Sequence, residues 1–123
     1  MIGKAYVSVT PYYDSNACKR SFKKRPVLII GKADETDYVV LPISRVTRRE
    51  YLDASFDISM ELQDYPLMNL SAVSYIRTHK QFTVREESLT KCITDFKENY
   101  SDTYILVLER MEEFQKLLID QAL

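Results

Sequence analysis

A chain of 123 residues has the length of one ordinary domain, so we expect residues 1–123 to form a single domain with its own core. Hydrophobic residues make up 46% and charged residues 28%, which excludes a disordered chain. No apolar run of about 18 residues exists to span a membrane. One histidine and two distant cysteines exclude the usual zinc spacings, so we expect neither metal nor cofactor. Free thiols and the lack of a secretion signal predict a cytoplasmic protein.

Two β-forming segments flank a basic segment near the start of the chain. Residues 6–10 alternate in the manner of a half-buried strand, which we expect to end at Pro11. Residues 11–24 are polar, basic and irregular, which indicates a long loop. Residues 27–30 form a continuous apolar run between a proline and a glycine, which predicts a strand buried on both faces.

A hairpin is predicted directly after this apolar run. Residues 32–37 indicate a turn, and residues 38–43 indicate the next strand, so the two strands should pair antiparallel. Pro42 within that strand indicates a sheet edge or a bulge, because proline cannot donate to a strand ladder. Residues 44–52 then form a second basic loop.

The middle of the chain contains further strand patterns. Residues 56–60 alternate apolar and polar side chains and predict a fourth strand. Residues 71–77 predict a fifth strand. Its period of two places Arg77 and His79 on the same face. Residues 91–96 are compatible with a short further strand, so the chain should contain five or six.

The C-terminal segment predicts an amphipathic helix of about 20 residues. Ser101 or Asp102 is expected to cap its N-terminus, and apolar residues recur every three or four positions from Tyr104 to Ala122. Short strands with tight links and one terminal helix predict an α+β, mainly β fold. We expect a small SH3-like barrel, or a strongly bent antiparallel sheet, with a C-terminal helix.

The basic residues are unevenly distributed. Residues 19–49 hold nine of the 17 lysines and arginines and three acids, whereas residues 101–123 hold five acids and two bases. Such asymmetry indicates a polyanion-binding face opposite an acidic one, although a run of charge also forms ordinary solvated surface.

Three segments, in this order, resemble the MazF/PemK family of toxins. Residues 24–30 are similar to the family's Arg-Pro-Val-Leu-Val strand, and residues 39–44 to its strand that ends in Pro-Ile-Thr/Ser. Residues 71–78 are similar to its segment that ends in Ile-Arg-Thr. The resemblance covers nearly the whole chain. The sequence departs from the family at residues 15–24, which lack its glycines, and at Tyr75, where the family has glutamine.

The resemblance implies a bacterial toxin of a toxin–antitoxin system. Such a toxin is a metal-independent endoribonuclease that cuts single-stranded RNA at specific sequences and acts as a homodimer. A cognate protein antitoxin is implied as well, and it should bring an acidic, disordered segment to the basic groove. The resemblance also implies that Arg25 is catalytic, as a charge stabiliser or as an acid.

Arg25 and Ser44 are the candidate catalytic residues. RNA carries its own nucleophile, the 2′-OH, so cleavage needs that hydroxyl activated, charge on phosphorus neutralised and the 5′ oxygen released. The guanidinium of Arg25 can hold two phosphate oxygens, and the Ser44 hydroxyl can donate to a phosphate oxygen or position the 2′-OH. An antiparallel hairpin would bring the two residues to the same sheet end. Each also has an ordinary alternative, a surface ion pair for the arginine and a turn for the serine.

Other residues are candidate RNA contacts. Arg77 would line the same groove, or would brace a loop or a dimer contact. His79 would transfer protons, since the ordinary pKa of histidine lies near neutrality, or would have a structural role. Tyr12, Tyr13 and Phe22 interleave with basic residues and can stack unpaired bases or pack in the core. The full set of RNA-binding candidates is Lys19, Lys23, Lys24, Arg45, Arg48, Arg49, Arg77 and His79.

Two other functions remain open. A gyrase-inhibiting toxin of the same fold uses aromatic contacts, including tryptophan, at its helical C-terminus, whereas this chain has no tryptophan and ends in Gln-Ala-Leu. An inactive RNA-binding barrel would keep the basic loops without cutting. Cleavage in chelator that disappears in Arg25→Ala, with RNA binding retained, separates the nuclease from this second alternative.

Overall fold

The computed structural model describes all 123 residues, in seven strands and two helices. The strands are β1 (Ala5–Asp14), β2 (Lys19–Lys32), β3 (Asp37–Ser44), β4 (Asp57–Met60), β5 (Ser74–Arg77), β6 (Phe82–Arg85) and β7 (Leu89–Thr94). The helices are α1 (Phe96–Asn99) and α2 (Ser101–Ala122). Short 3-10 turns cover Arg49–Tyr51, Leu62–Asp64, Pro66–Met68 and Glu86–Ser88.

All strand pairs are antiparallel, in the order β4-β5-β3-β2-β1-β7, with β6 beside the first half of β3. The β3 strand changes partner along its length, because Asp37–Val40 pair with β6 whereas Ile43 and Ser44 pair with β5. The sheet therefore curls into a half-barrel that carries the C-terminal helix. This confirms the predicted α+β, mainly β fold with a bent antiparallel sheet.

Pro42 lies at this change of partner, and not at a sheet edge or in a bulge as predicted. Its position is tolerated because β3 has no partner on that side between Val40 and Ile43. The bulge falls instead in β2, between Ile29 and Gly31. The predicted hairpin of β2 and β3 is confirmed.

Two apolar clusters lie on opposite faces of β2. Leu28 belongs to a cluster of ten buried residues that includes Phe96 and Val107 from the helices. Val27 and Ile29 belong to a second cluster of six residues on the other face. This alternation confirms the prediction that residues 27–30 are buried on both faces, where each large side chain contributes about 1.5–3 kcal/mol.

The predicted loop at residues 11–24 is wrong, because β1 and β2 continue through it as a two-stranded arm (residues 9–24). The register runs without a shift from Ala5 opposite Leu28 to Asp14 opposite Lys19. Proline is tolerated at position 11 because β1 is flanked on one side only beyond Ser8. At the tip, the Asp14 carboxylate accepts two backbone N–H bonds, at 3.0 and 3.2 Å.

Three smaller predictions also need correction. The fifth strand is shorter than expected and begins at Ser74. The β6 strand was not predicted, because only two apolar residues, Phe82 and Val84, alternate with polar residues along its four positions. Neither Ser101 nor Asp102 caps α2. The residue before α2 is Tyr100, which directly follows α1, and its side chain makes no capping hydrogen bond.

Gly3→Ala is expected to lower the free energy of unfolding by about 1–2 kcal/mol. Gly3 has φ +87°, and an added Cβ would lie 2.8 Å from Lys97 Cβ. Its backbone joins β2 to α1 through bonds with Ile29 and Lys97. Urea unfolding should detect the loss. Gly31→Ala is the matched control, since its Cβ would meet no atom within 4 Å, and an equal loss in both variants would contradict the argument.

Candidate active site

A cavity of ≈ 660 Å³ opens where the root of the arm meets the ends of β3 and β5. Its wall is formed by strand residues and by the turn before β5: Val7, Lys24, Arg25, Pro26, Ile43, Ser44, Arg45, Met68, Asn69, Leu70, Ser71, Ser74, Lys91, Cys92 and Ile93. The pairing of β2 with β3 ends at Val27 opposite Pro42, and residues 24–26 and 43–45 beyond this last pair line the cavity.

Arg25 and Ser44 both line this cavity. The pairing of β2 with β3 ends at Val27 opposite Pro42, and Arg25 and Ser44 lie two residues beyond this last pair on their strands. The structure therefore brings the two candidates to one cavity.

The charged side chains in the wall of the cavity are all cationic. The wall contains four cationic side chains, Lys24, Arg25, Arg45 and Lys91, and no aspartate or glutamate. Arg45 donates a hydrogen bond to Ser71 Oγ, whereas Lys24, Arg25 and Lys91 make neither an ion pair nor a side-chain hydrogen bond. In a chain of net charge −1, this concentration of unpaired cations fits a phosphate or another anion.

Sequence reasoning missed three residues near the two candidates. Lys91 joins the wall because β7 pairs with β1, with Lys91 opposite Val7, a long-range pairing that no local pattern indicates. Tyr75 lies directly opposite Ser44 on β5 and points to the same face. Ser8, opposite Arg25 on β1, is buried and its hydroxyl has no partner.

Arg77 and His79 lie elsewhere, in a cluster around the buried Asp57. The Arg77 guanidinium donates to Asp57 Oδ1 at 3.0 Å and Oδ2 at 3.3 Å, and to the Tyr51 carbonyl at 2.8 Å. The backbone N–H of Asp53 also donates to Asp57, at 2.8 Å. Neither Arg77 nor His79 lines the cavity, so the structure supports the bracing role for this arginine.

Burial between two phenylalanines lowers the pKa of His79 below its ordinary 6.5. Its ring lies 5.9 Å from Phe56 and 6.0 Å from Phe114, and Nδ1 is buried without a hydrogen-bond partner. Asp57, 3.7 Å away, raises the pKa but does not offset the burial. His79 is therefore neutral at pH 7 and contacts helix α2 through Phe114.

This burial makes stability depend on pH. The unfolded chain binds a proton near pH 6.5, whereas the folded chain binds it only at lower pH, so stability falls as pH drops below 6.5. His79→Gln should flatten this fall in urea unfolding between pH 7.5 and 5. Equal pH profiles in the wild type and the variant would contradict the assignment.

The remaining candidates lie on two segments around the cavity. Lys19 and Lys23 are exposed on the arm, where Lys23 Nζ lies 4.7 Å from the centre of the Tyr12 ring. Arg48 and Arg49 follow Arg45 on the loop after β3, and both are exposed. The structure thus gathers Lys24 and Arg45 with the catalytic candidates in the cavity wall, and the other four lie outside that wall.

No group of three or more His, Cys, Asp or Glu side chains is arranged to hold a metal ion. None of the helices has the length and apolar character needed to cross a membrane. Comparisons with known proteins give no match, either to a protein-family model or to a curated protein.

Proposed function

We propose that this chain is a MazF/PemK-type toxin, a sequence-specific and metal-independent endoribonuclease that cuts single-stranded RNA. The observation that carries the proposal is the cationic cavity that Arg25 and Ser44 both line, with no carboxylate in its wall. A wall of this kind favours a phosphodiester over a neutral or cationic substrate. The order of the three family-like segments along the chain supports the same function.

In the proposed reaction the 2′ oxygen attacks the adjacent phosphorus, and the bond from phosphorus to the 5′ oxygen breaks. The products are a 2′,3′-cyclic phosphate and a 5′-OH end. Arg25 holds two nonbridging oxygens and stabilises the charge that develops on them, because a guanidinium stays protonated and binds phosphate oxygens through two parallel N–H groups. Ser44 donates to a nonbridging oxygen or positions the 2′-OH. We assign the proton transfers to water, since the wall holds no carboxylate or imidazole.

The proposal includes the partners and the compartment. A cognate antitoxin would bind the cationic cavity through an acidic segment and so compete with RNA. Exposed apolar residues on α2, among them Ile105, Leu108 and Ile119, provide surface for a protein contact such as the homodimer. Messenger RNA as substrate implies action in the cytoplasm.

The test is to incubate the purified protein with several long single-stranded RNAs in EDTA and to map the ends of the fragments. We expect cuts at defined sequences, with 2′,3′-cyclic phosphate and 5′-OH ends, and no cuts in duplex RNA. A folded wild-type protein that leaves all of these RNAs intact would overturn the nuclease. Retained RNA binding would then favour the inactive barrel.

A further inference from the structure

Helix α2 is packed against the core in its first half and exposed in its second half. Tyr104 and Val107 belong to the cluster of ten buried residues, and Met111 packs against that cluster. Phe114 is the last residue of the chain that is not exposed. The segment after Met111, residues 112–122, is therefore attached to the rest of the chain through Phe114. We name this segment the helix tail.

Phe114 contacts two rings that lie beside β4 and β5. Its ring lies 5.2 Å from that of Phe56, in an edge-to-face arrangement, and 6.0 Å from that of His79. The rings of Phe56 and His79 lie 5.9 Å apart, so the three rings form one closed cluster. Phe56 directly precedes β4, and His79 follows the end of β5. The three rings are thus the junction between the helix tail and the sheet.

His79 is the member of this cluster that can become charged. Its Nδ1 is buried without a hydrogen-bond partner, and Asp57 Oδ1 lies 3.7 Å away, beyond hydrogen-bond distance. Both carboxylate oxygens of Asp57 already accept bonds from Arg77. A protonated His79 ring would therefore lack an acceptor for its Nδ1–H while it stays packed against Phe114. Movement of Phe114 away from the ring would admit water, which solvates the charge.

The charged groups around His79 do not offset this burial. Four of them face its ring from the sheet side: Asp53, Asp57, Arg77 and Lys80. The two carboxylates favour protonation and the two cations oppose it, and burial, the largest influence, lowers the pKa of His79. On α2, the charged residues within four positions of Phe114 are paired with each other, Arg110 with Glu113 and Lys116 with Glu112. No charge on the helix is therefore free to stabilise a protonated His79.

We propose that the contact of Phe114 with His79 is acid-sensitive, so that protonation of His79 releases the helix tail while the sheet and the first half of α2 stay folded. A segment of this length is marginal as an independent helix in water, and its last turn has no basic residue to complement the helix dipole. Release gives His79 back its ordinary pKa of 6.5, so it becomes more favourable as the pH falls below that value. Neither ring lines the cavity, so this inference does not depend on the proposed nuclease.

The experiment measures amide hydrogen exchange by NMR in the intact protein at pH 7.5 and at pH 5, corrected for the intrinsic exchange rates. We expect the amides of the helix tail to lose about tenfold of their protection at pH 5, since a difference of one pKa unit corresponds to a factor of ten. They should be less protected than residues 104–107 at both pH values, because the tail opens without global unfolding. In His79→Phe, which keeps an aromatic ring but cannot be protonated, the tail should lose less than about twofold.

A second variant tests the contact from the side of the helix. Phe114→Ala should lower the protection of the helix tail about tenfold already at pH 7.5 and remove most of its pH dependence. Ile119→Ala is the matched control within the tail, since Ile119 is 51% exposed, and it should change protection less than about twofold. Tail protection that does not change with pH, or that falls equally in His79→Phe, would overturn the inference. Equal protection of the tail and of residues 104–107 would also overturn it, because the tail would then open only by global unfolding.

Discussion

Arg25→Ala is expected to slow single-turnover RNA cleavage about 100- to 1,000-fold, the usual effect of removing one donor that stabilises transition-state charge. Arg25 lines the cavity together with Ser44, and its side chain makes no ion pair or hydrogen bond within the chain. Its removal therefore leaves no group without a partner, and the free energy of unfolding should change by less than about 0.5 kcal/mol. Rapid-mixing cleavage assays and urea unfolding of the same preparation measure both quantities.

The control for this prediction is Arg110→Ala, which removes the same charge from α2, outside the cavity. Arg110 pairs with Glu113 on the exposed side of that helix, so cleavage should stay near the wild-type rate. Arg25→Lys should recover part of the lost rate, because it restores the charge without the bidentate fork. Equal cleavage by Arg25→Ala and Arg110→Ala would remove Arg25 from the active site.

Asp57→Ala should lower the free energy of unfolding by about 3 kcal/mol, since it leaves Arg77 without its partner. The Asp57 side chain is 2% exposed and that of Arg77 is 20% exposed, so solvent compensates the lost pair poorly. The change also removes the acceptor for the Asp53 backbone N–H. Urea unfolding at pH 7.5 measures the loss, and Asp64→Ala on the exposed turn before β5 is the control.

The variant Arg77→Ala tests what Arg77 does. If Arg77 braces the fold, Arg77→Ala should lose stability while the remaining folded protein keeps its affinity for RNA. A variant of normal stability with weakened RNA binding would instead return Arg77 to the RNA-contact set. A loss below about 1 kcal/mol in Asp57→Ala would show that solvent screens the pair.

The parts of the fold that the sequence predicts well are those with strong local patterns. The apolar run at residues 27–30, the hairpin after it and the stripe from Tyr104 to Met111 require burial on particular faces, so their periodicity reflects the structure. The common cavity of Arg25 and Ser44 agrees with the same hairpin. The antiparallel pairing of two strands was sufficient to predict that these residues lie at one end of the sheet.

The parts that the sequence does not predict depend on contacts between distant segments or on exposed pairing. The sequence of the arm is polar and basic and shows no apolar alternation, because its two strands pair only with each other and bury little apolar area. Lys91 reaches the cavity through a strand that pairs across more than 80 residues, and Arg77 is held by Asp57 through side-chain contacts. No local periodicity encodes such contacts, because they are set by the tertiary packing.

The most direct test of the central claim, that the cavity splits RNA by means of the RNA's own 2′-OH, uses a short RNA with one mapped cleavage site. A matched RNA carries a single 2′-deoxy substitution at the nucleotide that supplies the attacking oxygen. We predict that the protein binds both RNAs with similar affinity and cuts only the unmodified one. Cleavage of the 2′-deoxy RNA at the same bond and rate would contradict the account.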